Sequence, residues 1–343
     1  LLDLATGLRR GELLDVFPVT RGGTTQWYSP TDNIADTLVS DGERAYMANV
    51  FSLLNEEVHA GRTASVDMIL DKMLRHQQQN AGRSLPTGTQ VKAERTLNAV
   101  PFATVLFMVN LSLGIVLLII GLIRLIRPIG HNKPDSADSR LLKTAKLVGF
   151  AVSGISFIAL TLCLALRWIV SGRVPMGNGY ETMLLLAWLV MVFSLVAVRR
   201  FSIVLPFGLL LSGFFLLVSH ISYMDPQITH LMPVLNSPLL SLHVSVIMMS
   251  FALLSLTFLC AVTALLLRLV RGRNAVGLVA QQERLALLSR LMLYPALALL
   301  GIGIFVGAIW ANVSWGAYWN WDAKEVWGLI TFMVYAIAAH DHS

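Results

Sequence analysis

FATVLFMVNLSLGIVLLIIGLI, residues Phe102–Ile123, runs for 22 residues without a charged side chain. A helix needs about 20 mostly apolar residues to cross the hydrocarbon core of a bilayer, so this stretch decides the class of the fold. Toward the C-terminus, Leu147–Leu166 repeats the pattern, and Thr182–Val198 and Phe201–Met224 follow on either side of a two-arginine hinge. Leu239–Leu267, Leu291–Trp310 and Val326–Ala339 complete seven expected spans. The expected fold is all-α: a polytopic membrane helical bundle of about seven transmembrane helices, with a small, mostly α extracytoplasmic domain at its N-terminus.

Composition agrees. The 343 residues are 55% hydrophobic and 13% charged, with mean hydropathy +0.67, whereas soluble domains carry about 25% charged residues. Residues 1–101 hold 10 basic against 12 acidic side chains, and residues 102–343 hold 16 against 8. The basic excess therefore belongs to the connectors of the apolar half, and no nucleic-acid partner is expected. Cys163 and Cys260 lie in apolar runs and suggest neither a disulfide framework nor a zinc site.

Charge also orients the spans, because cytoplasmic loops are enriched in Lys and Arg. The connectors after spans 1, 3 and 5 hold 13 basic residues, from Arg124 through Arg199–Arg200 to Arg290. The opposite set holds three: Arg167, Arg173 and Lys324. Residues 1–101 are thus expected on the outer, periplasmic side of a bacterial inner membrane, with the C-terminus in the cytoplasm. No signal peptide precedes the outer domain, so the chain is expected to be part of a longer protein, truncated at both ends. Within residues 1–100, Trp27-Tyr28-Ser29-Pro30 is read as the start of a loop. Asp41–Glu57 and Ala64–Gln78 read as helices, and Val91–Asn98 leads into the first span. His59 and His76 are expected on solvated faces.

The chemistry-bearing stretch is WANVSWGAYWNWDAKEVW, residues Trp310–Trp327, which packs five of the eight tryptophans into 18 residues. An interfacial aromatic belt is one reading. Gly316 and the polar Asn312, Asp322, Lys324 and Glu325 fit better with a platform for a large, flat, amphipathic ligand such as a porphyrin. Rigid indole faces supply the area, while indole N–H groups and Lys324 meet carboxylates. The platform residues are Trp310, Trp315, Tyr318, Trp319, Trp321, Asp322, Lys324 and Trp327. Porphyrin iron needs axial imidazoles. His243 opens the fifth span at the same end, with His220 and His230 flanking the preceding loop. His340 lies 15 residues beyond Glu325, about 22 Å deeper along a helix, so His243 and His340 belong to separate haem sites unless His340 is an ordinary interfacial residue. Asn178, Tyr180 and Glu181, in RVPMGNGYE, either line the outer site or form a plain re-entry turn.

The form Trp315-Gly-x-Tyr-Trp-x-Trp-Asp-x-Lys-Glu-x-Trp327 resembles the WWD signature of the CcsA/ResC type of system II cytochrome c biogenesis proteins. Pro175-Met-Gly-Asn-Gly-Tyr-Glu181 and Leu242-His243-Val244 are similar to that family in the expected order, and the outer domain plus first span is similar to fused CcsBA-like synthases, most like those of Bacteroidetes. The resemblance implies that His243 is the external haem ligand and His340 the transmembrane one. It also implies haem b as substrate and ligand, moved outward and attached by thioether bonds to the CxxCH motif of apocytochrome c. Such a chain acts as part of a holocytochrome c synthase. The implied partners are apocytochrome c, the remaining CcsB-type part (fused or separate), thiol-reducing factors and membrane lipid. Ala323 stands where the family commonly has Pro, and the second histidine of each pair falls outside these residues. The alternatives weighed are a haem-delivery protein without synthase activity, an unrelated transporter and a structural assembly subunit.

Overall fold

In lipid a helix satisfies its own backbone N–H and C=O groups, and the apolar runs of this chain take that solution throughout. The computed structural model describes residues 14–32, 34, 38–126, 136–221, 224–228, 232–235, 237–271 and 278–340. Two units emerge, Leu1–Val91 and Lys92–Ser343.

The first unit is mostly helical, as expected, with one short hairpin added. Phe17–Arg21 (β1) and Thr24–Tyr28 (β2) form an antiparallel hairpin with Phe17 opposite Tyr28. Its two-residue loop is Gly22-Gly23, with φ of 58° and 84°. Two successive left-handed residues are what a tight hairpin turn needs, and glycine adopts them without strain. Trp27 and Tyr28, expected to begin a loop, therefore end a strand. Helices α1 (Asp41–His59) and α2 (Thr63–Asn80) cover the hairpin. Ser40 and Glu43 cap α1 reciprocally, the Glu43 N–H donating to Ser40 Oγ at 3.3 Å and the Ser40 N–H to Glu43 Oε2 at 3.1 Å. The hairpin is tied to the end of α2 by Thr20 Oγ1 donating to the Asn80 carbonyl at 2.6 Å and by Trp27 Nε1 donating to Ser84 Oγ at 3.1 Å. His59 is exposed, but His76 is not on a solvated face. Its ring is half-buried 6.0 Å from Phe17 and 5.9 Å from Tyr46, and burial pushes its pKa down. Helix α3 (Gly88–Ala99) contains the division between the units.

The second unit contains α4 (Phe102–Ile126), α5 (Ser136–Ser171), α6 (Gly179–Ala197), α7 (Val204–Ile221), α8 (Pro238–Arg271), α9 (Leu278–Trp315) and α10 (Ala323–Ala339). Six of these are long and apolar enough to cross a membrane. The seventh expected span, α10, has 17 residues, about 25 Å at 1.5 Å per residue, just under the hydrocarbon thickness. The helices also run further than the apolar stretches. Helix α9 begins at Leu278 rather than Leu291 and continues through Pro295. Arg284 and Arg290, read as connector residues, are accordingly helical, as are Arg140, Lys143 and Lys146 on α5.

Helices α6 and α7 form the centre and contribute to two apolar cores. One gathers Val190, Phe207, Leu256, Leu288 and Leu300 from α6 to α9; the other gathers Leu106, Leu160, Leu184, Met191 and Leu209 from α4 to α7. Helix α7 is buried nearly all round, which is why it is apolar all round. It packs against α4 through two reciprocal glycines. A Cβ on Gly114 would lie 2.5 Å from the Leu210 nitrogen, and one on Gly213 would collide with the Leu111 backbone. Those pairings run antiparallel. Small residues allow such close approach, and buried hydrogen bonds reinforce it: Asn110 donates to Ser212 Oγ at 3.3 Å and accepts from Ser156 at 2.6 Å. Cys163 and Cys260 are free, buried thiols.

Candidate functional site

His243 stands on the second turn of α8, half-buried against α9. Its Nδ1 lies 2.7 Å from the carbonyl oxygen of Gly303. A carbonyl only accepts, so Nδ1 is the donor, and in the neutral imidazole Nε2 is the nitrogen that carries the lone pair. The ring occupies the space left by a missing side chain: a Cβ on Gly307 would fall 2.5 Å from His243 Cε1 and 2.7 Å from Nδ1. One turn along, a Cβ on Gly303 would fall 2.6 Å from Ile247 Cδ1. Gly303 and Gly307, four apart on α9, thus receive His243 and Ile247, four apart on α8. Sequence reading missed this pairing, although the GxxxG spacing was visible. An imidazole held by a backbone carbonyl with its other nitrogen bare is the usual arrangement of an iron or zinc ligand.

Gly307 precedes Trp310 by three residues, so the imidazole sits about one helical turn below the tryptophan stretch. That stretch ends α9 at Trp315, turns at Gly316 with φ of 78°, and re-enters helix at Ala323. Trp310 packs edge-on to Trp315 at 6.4 Å, and Trp319 edge-on to Trp321 at 5.9 Å. Asp322 caps α10, accepting the Glu325 N–H at 2.9 Å, while Glu325 accepts the Asn320 N–H at 2.8 Å. These bonds hold Trp321 at a φ of 57°, a left-handed conformation that costs a bulky residue on the order of 1 kcal/mol. Trp315, Tyr318, Trp321 and Trp327 are exposed, as are Asp322 and Lys324. The indole N–H groups of Trp310 and Trp319 are buried with no hydrogen-bond partner among the described residues. Each such orphan costs about 1–3 kcal/mol unless something outside the chain accepts it.

His340 lies far from this cluster. It follows the last residue of α10 and is exposed, beside Phe332, Met333 and Ile337. Tyr335 reaches the Leu254 carbonyl at 3.5 Å, and Leu254 is 11 residues beyond His243 on α8. With five more residues to His340, the two histidines are separated by about 24 Å along the bundle. No single iron can bind both.

The RVPMGNGYE segment is tied down by buried polar contacts. Glu181 is fully buried, its carboxylate accepting from Arg167 at 3.0 Å, from Arg173 at 3.2 Å and from the Gly177 N–H at 2.7 Å. Asn178 caps α6 and donates to the carbonyls of Asp225 and Gln227. Arg167 also donates to the Pro226 carbonyl at 2.9 Å, and its guanidinium lies 5.0 Å from the Tyr180 ring. Glu181 is therefore the keystone that joins two loops. Met176, in the same segment, receives a contact from Ser245 at 3.3 Å, two residues past His243. Arg167 carried the missed signal: a lone arginine near the end of an apolar run needs an acid. The His220 ring lies tilted against Phe107, centroids 5.4 Å apart, and His230 lies outside the described residues.

Residues 176–343 match the family described as Cytochrome C assembly protein. Protein NrfI of Wolinella succinogenes is 31% identical over 342 residues, covering 99% of this chain and 36% of that protein. The cytochrome c biogenesis protein CcsA of Chlamydomonas reinhardtii is 34% identical over 198 residues, 54% of this chain and 55% of its own. CcsA of Guillardia theta is 31% identical over 224 residues, 58% of this chain and 74% of its own. The chain thus spans about a third of the first of these relatives and about half of the second. Bundle, tryptophan stretch and sequence likeness converge: the chain belongs to the cytochrome c assembly protein family.

Proposed function

We propose that this chain binds haem b as substrate at the tryptophan-bearing end of the bundle and presents it for covalent attachment to apocytochrome c. The observation that carries the reading is the His243 imidazole, fixed by the Gly303 carbonyl about one helical turn from Trp310, together with the buried indole N–H groups of Trp310 and Trp319, which have no hydrogen-bond partner among the described residues. His243 supplies the nitrogen for one axial position. Trp310 and Trp319 donate to the carboxylate edge of the porphyrin, while the exposed indoles of Trp315 and Trp321 cover its faces. Lys324 meets the second carboxylate. Bound haem contributes its vinyl groups, and each thiol of a CxxCH partner adds across one of them, sulfur to the inner carbon and proton to the outer. The addition has no net redox change, so thiol-reducing factors are needed only to keep the partner's cysteines reduced. Holding thiol and vinyl together supplies most of the acceleration.

His340 provides the ligand of a second haem site near the opposite face, a staging point on the way outward. In this reading the tryptophan end faces the periplasm and the end of α10 the cytoplasm of a bacterial inner membrane. Residues 1–101 are then periplasmic. The chain works with a CcsB-type part, on the same polypeptide as in fused Bacteroidetes synthases or on another, within a system II holocytochrome c synthase. The reading is tested by a reduced-minus-oxidised absorption spectrum of the detergent-purified full-length protein and of His243→Ala. A sharp low-spin b-type signal that shifts or fades in the variant is expected. An absence of haem in both, from haem-replete cells, overturns it.

A further inference from the structure

At the other end of the bundle, a cavity of about 500 Å³ opens between α4, α5, the α6–α7 hinge and the N-terminal extension of α9. Four cationic side chains converge on its rim from these four parts of the chain: Arg124, Lys146, Arg200 and Arg284. None of them has an ion-pair partner among the described residues, and no carboxylate is among the residues lining the cavity. Its floor is hydrocarbon, with Leu117, Leu205 and Leu288 at the base. Four like charges around a low-dielectric hollow repel one another. An anion at the rim removes that penalty, and an attached apolar body fills the hollow.

We infer that this cavity is a binding site for an anionic phospholipid, the phosphate headgroup lying among Arg124, Lys146, Arg200 and Arg284 and an acyl chain against the leucine floor. Basic pockets between transmembrane helices at the headgroup level recognise such lipids. A dicarboxylic porphyrin shares the chemistry of anion plus apolar body. The described lining residues include no His, Cys, Met or Tyr to ligate its iron, which favours the lipid. Gly121 lines the same hollow with open space where its Cβ would point.

The full-length protein in neutral detergent is titrated with phosphatidylglycerol or phosphatidylcholine, with bound lipid counted by native mass spectrometry and melting followed in parallel. Phosphatidylglycerol is expected to bind and raise the melting temperature, and phosphatidylcholine to do neither. Arg200→Gln and Arg284→Gln each weaken phosphatidylglycerol about fivefold, the worth of one cation at a lipid headgroup. Arg199→Gln, on the same hinge but outside the cavity, leaves binding unchanged. Gly121→Leu fills the hollow without touching any charge and abolishes binding while the lipid-free melting temperature is kept. Equal binding of phosphatidylcholine, or wild-type binding in both Gln variants or in Gly121→Leu, overturns the proposal. So does displacement of the lipid by metal-free protoporphyrin, which assigns the site to a porphyrin's propionates, or an equal shift with inorganic phosphate alone. None of these readouts depends on haem at His243.

Discussion

The Nδ1–H of His243 donates to the carbonyl oxygen of Gly303 at 2.7 Å, and the ring rests where Gly307 has no side chain. One contact makes Nδ1 the donor and the other fixes the position of the ring, so a single pair of helices, α8 and α9, pre-sets the imidazole. The same two glycines explain why the imidazole is not free to rotate away.

Gly307→Ala should therefore imitate His243→Ala. The added methyl lies 2.5 Å from His243 Cε1, so the ring must leave its seat although the histidine remains. The haem-to-protein ratio of the purified variant checks this, and wild-type occupancy contradicts it.

Trp310→Phe and Trp319→Phe keep an aromatic ring and remove the N–H along with part of the indole. If that N–H meets a haem carboxylate, each variant retains the axial-ligand spectrum but loses haem about fivefold faster on dilution, in line with roughly 1 kcal/mol per hydrogen bond. In haem-free protein the same change removes a buried orphan donor, so melting should stay level or rise.

Glu181→Gln leaves Arg167, 2% exposed, without its counter-ion. Removing one partner from a buried pair costs about 3–5 kcal/mol. A melting temperature lowered well beyond that of Arg173→Gln is expected, because Arg173 sits nearer the surface. Protease sensitivity around 172–178 and 224–228 should rise together, since Glu181 and Arg167 bind both loops.

His76 makes the first unit sensitive to acid. Burial lowers its folded pKa below the ordinary imidazole value of about 6.5, so the unfolded chain takes up the proton first. The contribution is fully present above pH 6.5 and is lost as pH falls toward the folded pKa. Amide exchange in α1 and α2, taken as the ratio of wild type to His76→Phe at each pH, should rise below 6.5 and stay flat above it.

A reporter fused after Ser343 is expected to be active only in the cytoplasm. Periplasmic activity there contradicts the orientation read from the 13 basic residues of one set of connectors.

The helical membrane class was legible from Phe102–Ile123 onward, because burial in lipid leaves the backbone one inexpensive choice and the required length is set by the bilayer. The tryptophan stretch and His243 stood out as candidates for the same kind of reason: indole and imidazole are rare and their clustering is local in sequence. The hairpin at Gly22-Gly23 was written in the chain as well, between Val19-Thr20 and Thr24-Thr25, but its strands are only five residues each and their pairing is weak evidence without the helices that cover them.

What remained invisible depends on residues far apart in the chain. Glu181 reads as a contact residue until Arg167 and Arg173 are seen closing over it, and His76 reads as solvated until Phe17 and Tyr46 pack against its ring. Of the four cations around the cavity, Arg124, Lys146 and Arg284 look like loop charges because the apolar runs end before the helices do, while Arg200 sits in the hinge. Sequence alone determined that this chain is a membrane helical bundle with an aromatic, histidine-bearing end, since composition and local period decide what the solvent permits. Tertiary structure alone decided which histidine nitrogen donates to the backbone, which carboxylate is sealed and where the basic residues converge, because these follow from how residues 14 to 160 positions apart in the chain approach one another.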